Sequence, residues 1–450
     1  MRPETEDGRQ YKPSCYNVFL EDENGVFVFN AVTFALVELD DALHKKLKSK
    51  ALLDEDDFSS DSLKELKKSG ILVDPRMDEL EYLRFKHYSE KYDRTLATLI
   101  IYPTLKCNFS CPYCFEEYKG STISDDVLRR IVRFIETSSN KLQYLNIRWS
   151  GGEPLLVWDK IVELSESFIH SCTKNNVHYS ASIASNGYLL DEKISRELPR
   201  LKISVAQITL DGPPSIHNKR RFMPNNKEGT FEKILHNIKI ATNYANIVIR
   251  VNIDRGNVNG FSELLSILDA EHLNKDTIRL FCKPVISCYR DLTTYEHKEF
   301  YEIESELLRI AVDKGFPFSF HPNIGAHVRC PYYQINSFMI CPMGDLYKCP
   351  EHIGNKAMAI GHIDENGLVK ITDLPKYLKS SSYDPFAIEE CKGCNVLPLC
   401  FGKCPIIWEQ RDRRSQEGCI PEKCTLENKL RYAIRSKNQL FQFVKTEQRE

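Results

Sequence analysis

The chain has 450 residues, with 61 lysines and arginines against 63 aspartates and glutamates, and it carries sixteen cysteines. That length allows two or three domains with cores of their own, and the near-neutral balance is not the basic footprint of a nucleic-acid binder. No apolar run approaches the roughly 20 residues of a membrane span, and the polar start "MRPETEDGRQYKPS" lacks a signal-peptide core, so a soluble cytoplasmic protein is expected.

Residues 15–37 alternate apolar and polar positions around the turn "EDENG", which reads as a hairpin plus a third short strand. "ELDDALHKKLKSK" follows with helical spacing, and "SSDSLKELKKSG" runs from a Ser/Asp cap to Gly70. With "ILVDP" as a returning strand, residues 1–77 suit a small winged-helix-like module. The plainer alternative is an extension that only shields the next domain. Residues 78–94, rich in Glu, Tyr, Lys and Arg, read as a linker helix.

From Thr95 the rhythm changes. Apolar, β-branched strands at 95–102, 142–149, 177–184, 203–210, 246–253 and 277–283 alternate with helices near 124–137, 158–174, 191–199, 230–243 and 260–270. Strands joined by such crossovers form a parallel sheet. Six units over residues 95–322 leave both a partial barrel and an open doubly wound sheet possible. Ligands in either fold gather at the carboxyl ends of the strands. There the sequence places a cysteine triad after the first strand, "SGGEP" after the second, "SNG" after the third and "DG" after the fourth.

Residues 323–424 are turn-rich and hold nine of the sixteen cysteines, so metal is expected to order them. An amphipathic helix is expected within 425–450. Clustered thiols without an export signal indicate metal rather than disulfides. Cys15, Cys172, Cys282 and Cys288 stand apart and read as bystanders.

Cys107, Cys111 and Cys114 form C-x3-C-x2-C in a loop that Pro112 stiffens. No fourth Cys or His lies nearby, and an incomplete ligand set marks a reactive metal site rather than a structural one. The triad, with Tyr113 just before its last cysteine, resembles the signature of radical S-adenosylmethionine (SAM) enzymes. That resemblance implies a [4Fe–4S] cluster whose fourth iron is chelated by SAM, and a partial (β/α)6 barrel around it. It further implies that Gly151, Gly152 and Glu153 meet the methionine amino group and that Ser185 and Asn186 contact ribose and carboxylate. In "HNKRR" (217–221), Arg221 rather than Arg220 is expected on the SAM carboxylate. A zinc or redox site is the alternative for the triad.

Cys391, Cys394, Cys400 and Cys404 read C-x2-C-x5-C-x3-C, while Cys330, Gly344 and Cys349 are separated by thirteen and four residues. Both spacings resemble the SPASM domain, which implies two auxiliary [4Fe–4S] clusters and three in all. By that resemblance Cys330, Cys349 and Cys404 serve the first auxiliary cluster, with Cys341 able to complete it. Cys391, Cys394 and Cys400 serve the second, with Cys419 preferred over Cys424 as its late ligand. Two zinc knuckles are the alternative.

The family resemblance implies an oxidoreductase that modifies a ribosomally made precursor peptide, with a thioether or related cross-link expected. The partners are then the peptide with its leader segment and a flavodoxin or ferredoxin as electron donor, and no nucleic acid or membrane. Peptide maturases often capture the leader as an added strand on a winged-helix-like module, the role expected of residues 1–77. The competing reading is an anaerobic sulfatase-maturing enzyme, which makes formylglycine. In that family an aspartate follows the cysteine corresponding to Cys349; here Pro350 does, and it cannot exchange a proton. A non-catalytic iron–sulfur electron carrier is the alternative from a different class, though glycine-rich SAM loops would have no use there.

Overall fold

The computed structural model describes residues 10–49, 51–114, 120–224, 229–285, 294–295, 297–317, 330–402, 421–436 and 442–445. They belong to two compact units, one made up of residues 1–90, 322–328 and 384–450, the other of 91–321 and 329–383. Among the described residues no helix is long and apolar enough to cross a membrane.

In the first unit the expected hairpin is present, Asn17–Asp22 antiparallel to Gly25–Asn30, and Ala35–Leu39 extends it. Helices Asp41–Lys48 and Ser60–Lys68 come next, their first turns capped by Asp40 and Ser59. Gly70 closes the second helix at φ +73°, where a side chain would also strike Thr33. Val28, Val37, Leu43, Leu47, Leu63 and Leu66 bury this module's core. At the other end of the chain the expected helix over 425–450 is instead a helix, Pro421–Ser436, and a strand, Gln442–Lys445. That strand pairs in parallel with Ala35–Leu39, a partner about 400 residues away in sequence.

The second unit is built on a ten-stranded sheet. Its centre comprises β1 (Leu96–Ile101), β2 (Tyr144–Trp149), β3 (His178–Ser185), β4 (Ile203–Thr209), β5 (Asn246–Ile253) and β6 (Ile278–Pro284), all parallel and in sequential order. Between them run α1 (Asp125–Ser138), α2 (Trp158–Lys174), α3 (Glu192–Glu197), α4 (Pro214–Arg220), α5 (Phe231–Ala241) and α6 (Phe261–Ala270). This is the partial (β/α)6 arrangement, not a doubly wound order. Along each strand alternate residues are buried under the helices, such as Leu145, Ile147 and Trp149 on β2 or Ile247, Ile249 and Val251 on β5. The remaining residues form the inner face. Helix α1 shows why the pattern was readable: Ser124 caps Val127, and Val127, Leu128, Ile131, Phe134 and Ile135 recur at helical spacing.

Beyond the expected boundary near 322 the sheet continues. β7 (Ser337–Ile340) pairs in parallel with β1, and Asp345–Tyr347, Gly361–Ile363 and Val369–Ile371 add antiparallel strands. Residues 330–383 thus owe part of their order to a sheet edge.

Candidate cluster and cosubstrate site

The cysteine loop leaves β1 and is tied back at both ends. Leu105 N–H donates to Ser121 O (2.9 Å), Ile123 N–H donates to Pro103 O (2.8 Å), and the Thr104 and Thr122 hydroxyls are 2.9 Å apart. Within it Cys107 and Cys111 are half-buried and Cys114 is exposed. Burial pushes the Cys107 thiol up to about 12, although Phe109 N–H donates to its sulfur at 3.4 Å. Ser110 N–H reaches across to Phe222 O (2.9 Å), which fastens the loop to the chain just past Arg221.

The "SGGEP" loop lies flat against the residues that lead into the triad. Gly152 N–H donates to Thr104 O (3.1 Å) and Glu153 N–H to Lys106 O (2.9 Å). A Cβ on Gly151 would stand 2.3 Å from Thr104 O, and one on Gly152 would stand 2.4 Å from Lys106 O. The glycines therefore admit neighbouring backbone first, whatever else they meet. Glu153 is fully buried and accepts from Leu155 N–H (3.0 Å), the Ser185 hydroxyl (2.8 Å) and Asn186 N–H (2.7 Å). Burial raises its pKa against these three bonds. Its carboxylate thus joins the second loop to the third. In Glu153→Gln the amide would set its own N–H against one of these donors in either orientation. That should cost roughly 1–3 kcal/mol, seen as a lower melting temperature, with Glu153→Asp recovering little because the shorter arm reaches fewer donors.

Asn186 completes the link by donating from Nδ2 to Asn108 Oδ1 (2.7 Å), beside Cys107. Ser185, Asn186 and Glu153 therefore form one connected set under the triad. On the opposite side Tyr113 donates its hydroxyl to Asp211, and Arg221 Nη1 donates to the Tyr113 oxygen (2.9 Å). Burial raises the Tyr113 pKa and holds the phenol neutral.

The two arginines of "HNKRR" have different tasks. Arg220 is committed to carboxylates, Asp254 at 2.7 Å and Asp211 at 3.6 Å. Arg221, buried, turns toward the triad loop and lies over the Phe109 ring. Its backbone is held by a relay. Asp211 N–H donates to His217 Nδ1 (3.3 Å), which leaves the proton on Nε2 to be given to Thr230 Oγ1 (3.2 Å), and Thr230 donates to Arg221 O (2.6 Å). Burial, then repulsion from Arg221 and Arg220, lowers the His217 pKa well below the usual value and keeps the ring neutral.

Among the described residues no three His, Cys, Asp or Glu side chains stand gathered at one metal-ligand point. The surroundings of the triad nevertheless fit a thiolate-held cluster with a chelating cosubstrate. The donor set in this loop is three thiols, and among the described residues Arg221 Nε and Asn108 Nδ2 are buried with no partner. Such donors suit a carboxylate and a polar ligand brought in from outside.

Residues 101–258 match the family model described as the Radical SAM superfamily. The chain carries a radical SAM domain. Several relatives match over most of its length, two of them as follows. A cysteine-type anaerobic sulfatase-maturating enzyme of Clostridium novyi is 25% identical over 73% of this chain and 90% of its own. The radical SAM cyclopropyl synthase TigE of Paramaledivibacter caminithermalis is 23% identical over 86% of this chain and 88% of its own. In fold, the chain resembles His-tagged anSMEcpe with bound AdoMet (TM-score 0.58, 18% identity, 76% of this chain and 94% of that one). It also resembles Streptococcus suis SuiB bound to the precursor peptide SuiA (TM-score 0.50, 14% identity, 92% of this chain and 98% of that one). The family match ends at residue 258, and the likeness in fold runs on into the C-terminal region.

The C-terminal cysteines are divided between the two units. In the barrel unit Cys330 is half-buried, Cys349 is buried before the turn Pro350–His352, and Cys341 is fully buried among Tyr102, Leu105, Met339 and Tyr347. In the first unit Cys391 and Cys394 share a tight turn (Cys394 N–H to Cys391 O, 3.1 Å), and Cys400 ends the helix Leu397–Cys400. Cys404 and Cys419 lie outside the described residues; Cys424 is on the helix Pro421–Ser436. Cys282, on the helix-covered face of β6, and Cys172 are buried, and Cys288 lies outside the described residues.

Four residues that organise the site, Asn108, Asp211, His217 and Asn252, were not singled out from sequence. Asp211 is fully buried and receives Tyr113, Arg220 and the Asn252 backbone N–H (3.1 Å). Its signal was the "DG" at the end of the fourth strand.

Proposed function

We propose that the chain is a peptide-modifying radical SAM enzyme whose natural substrate is a precursor peptide, matured by a thioether or related cross-link. The observation that carries this is coverage. The likeness to peptide-bound SuiB extends over 92% of this chain, against 76% for anSMEcpe, and TigE matches over 86% of it. The first unit supports the same reading. Its four-stranded sheet has Gln442–Lys445 as one outer strand and Asn17–Asp22 as the other, and a leader could add to Asn17–Asp22.

A [4Fe–4S] cluster bound with SAM supplies, on reduction, the 5′-deoxyadenosyl radical that removes a hydrogen atom from the substrate. Cys107, Cys111 and Cys114 would hold it. Arg221 would take the SAM carboxylate, with Tyr113, Gly151, Gly152, Glu153, Ser185 and Asn186 shaping the pocket around it. In the C-terminal region Cys330, Cys341, Cys349, Cys391, Cys394, Cys400, Cys404 and Cys419 would hold two further clusters, giving three in all, and a flavodoxin or ferredoxin would deliver the electron.

The second reading is formylglycine formation, favoured by the relative from Clostridium novyi. One experiment separates them. The anaerobically reconstituted enzyme is incubated with SAM, dithionite and the short peptide encoded beside its gene, or with a sulfatase-motif peptide. Loss of two hydrogen masses from the former with no change in the latter supports the maturase. Conversion of the sulfatase-motif cysteine to an aldehyde overturns it.

A further inference from the structure

The six central strands contain no aspartate or glutamate, and their only Lys or Arg residues are Arg148, Arg250, Arg279 and Lys283. All four fall on the inner face, on alternate positions to the residues buried under the helices. Arg279 spends its guanidinium at the strand entrance, donating to the carbonyls of Lys275, Asp276 and Ile278. Arg148 and Arg250 are different. Each donates only to a neutral amide, Arg148 Nη2 to Gln207 Oε1 (3.0 Å) and Arg250 Nε to Asn252 Oδ1 (2.7 Å). The nearby carboxylates of Asp211 and Asp254 are already engaged by Arg220. Two guanidiniums that make few bonds to the described residues therefore share the inner face, where Arg148 and, less strongly, Arg221 oppose the charge on Arg250 while Asp211 favours it.

Neutral side chains would line the inner face without mutual repulsion, and the helices pack on the other face. The arrangement suits a planar anion that can take two guanidiniums at once, which is a carboxylate. Arg148 precedes the "SGGEP" loop by two residues, so its Cα lies about 7 Å below the loop along the strand direction. Arg221, by contrast, lies at the triad loop itself.

We propose that Arg148 and Arg250 bind the carboxylate of an acidic side chain of the peptide substrate, and so fix which residue is presented to the site above. The inference rests on the peptide reading and names its substrate class. The same chemistry could serve a second source, the methionine carboxylate of SAM, and the test separates the two.

The reconstituted, SAM-loaded protein is titrated with two terminally blocked pentapeptides that differ only in a central Glu or Gln. The wild type should bind the Glu peptide about tenfold or more tightly than the Gln peptide. Arg148→Gln/Arg250→Gln should abolish the difference, while Arg148→Lys/Arg250→Lys, which keeps the charge but not the bidentate fork, should retain part of it. Iron content and melting temperature verify that each variant is folded. Equal affinities in the wild type, no binding of the Glu peptide, or a preference that survives in the Gln variant overturns the proposal. So does a matching loss of SAM affinity in that variant, which assigns the pair to SAM. Modification of the precursor peptide with no acidic preference would remove this inference and leave the peptide reading standing; no modification of any peptide would remove the peptide reading itself.

Discussion

Replacing Cys107, Cys111 and Cys114 together by alanine should abolish release of 5′-deoxyadenosine and lower bound iron from about 12 to about 8 atoms per chain. The fold should persist. Cys114 is exposed and the other two are half-buried, so their removal leaves little cavity, and the loop is held at its ends by backbone bonds of Leu105 and Ile123. Iron and sulfide analysis after anaerobic reconstitution, beside a thermal melt, reads both quantities. Residual 5′-deoxyadenosine would sink the triad as the reactive site. A fall from about 4 iron atoms to none, with zinc present, would make the C-terminal thiols structural zinc ligands.

Gly152→Ala should damage the site without touching a thiol. Its Cβ would meet Lys106 O at 2.4 Å and Leu105 O at 2.7 Å, and both are backbone atoms that no rotamer change can move aside. The loop must then withdraw, and the bonds from Gly152 N–H and Glu153 N–H weaken with it. A cost of roughly 1–3 kcal/mol is expected, with a melting temperature several degrees lower. Because the displaced carbonyls lead directly into Cys107, cluster loading should fall as well. An unchanged melt and full iron content in Gly152→Ala would mean that the two loops are not in the contact described.

The central strands were legible because each carries its own evidence. NIVIRVNI gives Asn246–Ile253 and the apolar spacing of WDKIVELSESFIHSCTK gives Trp158–Lys174, since period and length are local properties. Loops at strand ends came with the topology, so the convergence of the triad, "SGGEP", "SNG" and "DG" was visible before any coordinates. What escaped depended on distant partners. Ser337–Ile340 is four residues long and becomes a strand because β1 offers an edge; Gln442–Lys445 does so because Ala35–Leu39 does. Pro214–Arg220 is too short for a periodic signal. The same limit applies to the site. Cysteines and glycines announce themselves by spacing, whereas Asp211 and Asn108 gain their importance only from what they touch.

The parallel pairing of Gln442–Lys445 with Ala35–Leu39 has a bearing on biosynthesis. The first strands and helices of the module leave the ribosome about 400 residues before the fourth strand of their sheet is made. Throughout translation the edge of Ala35–Leu39 is an open template, vulnerable to pairing with another nascent chain. Closing a contact across about 400 residues is slow. A stop codon placed after Ser436 would make that exposure permanent, and such a protein should aggregate during expression even with every cysteine ligand intact.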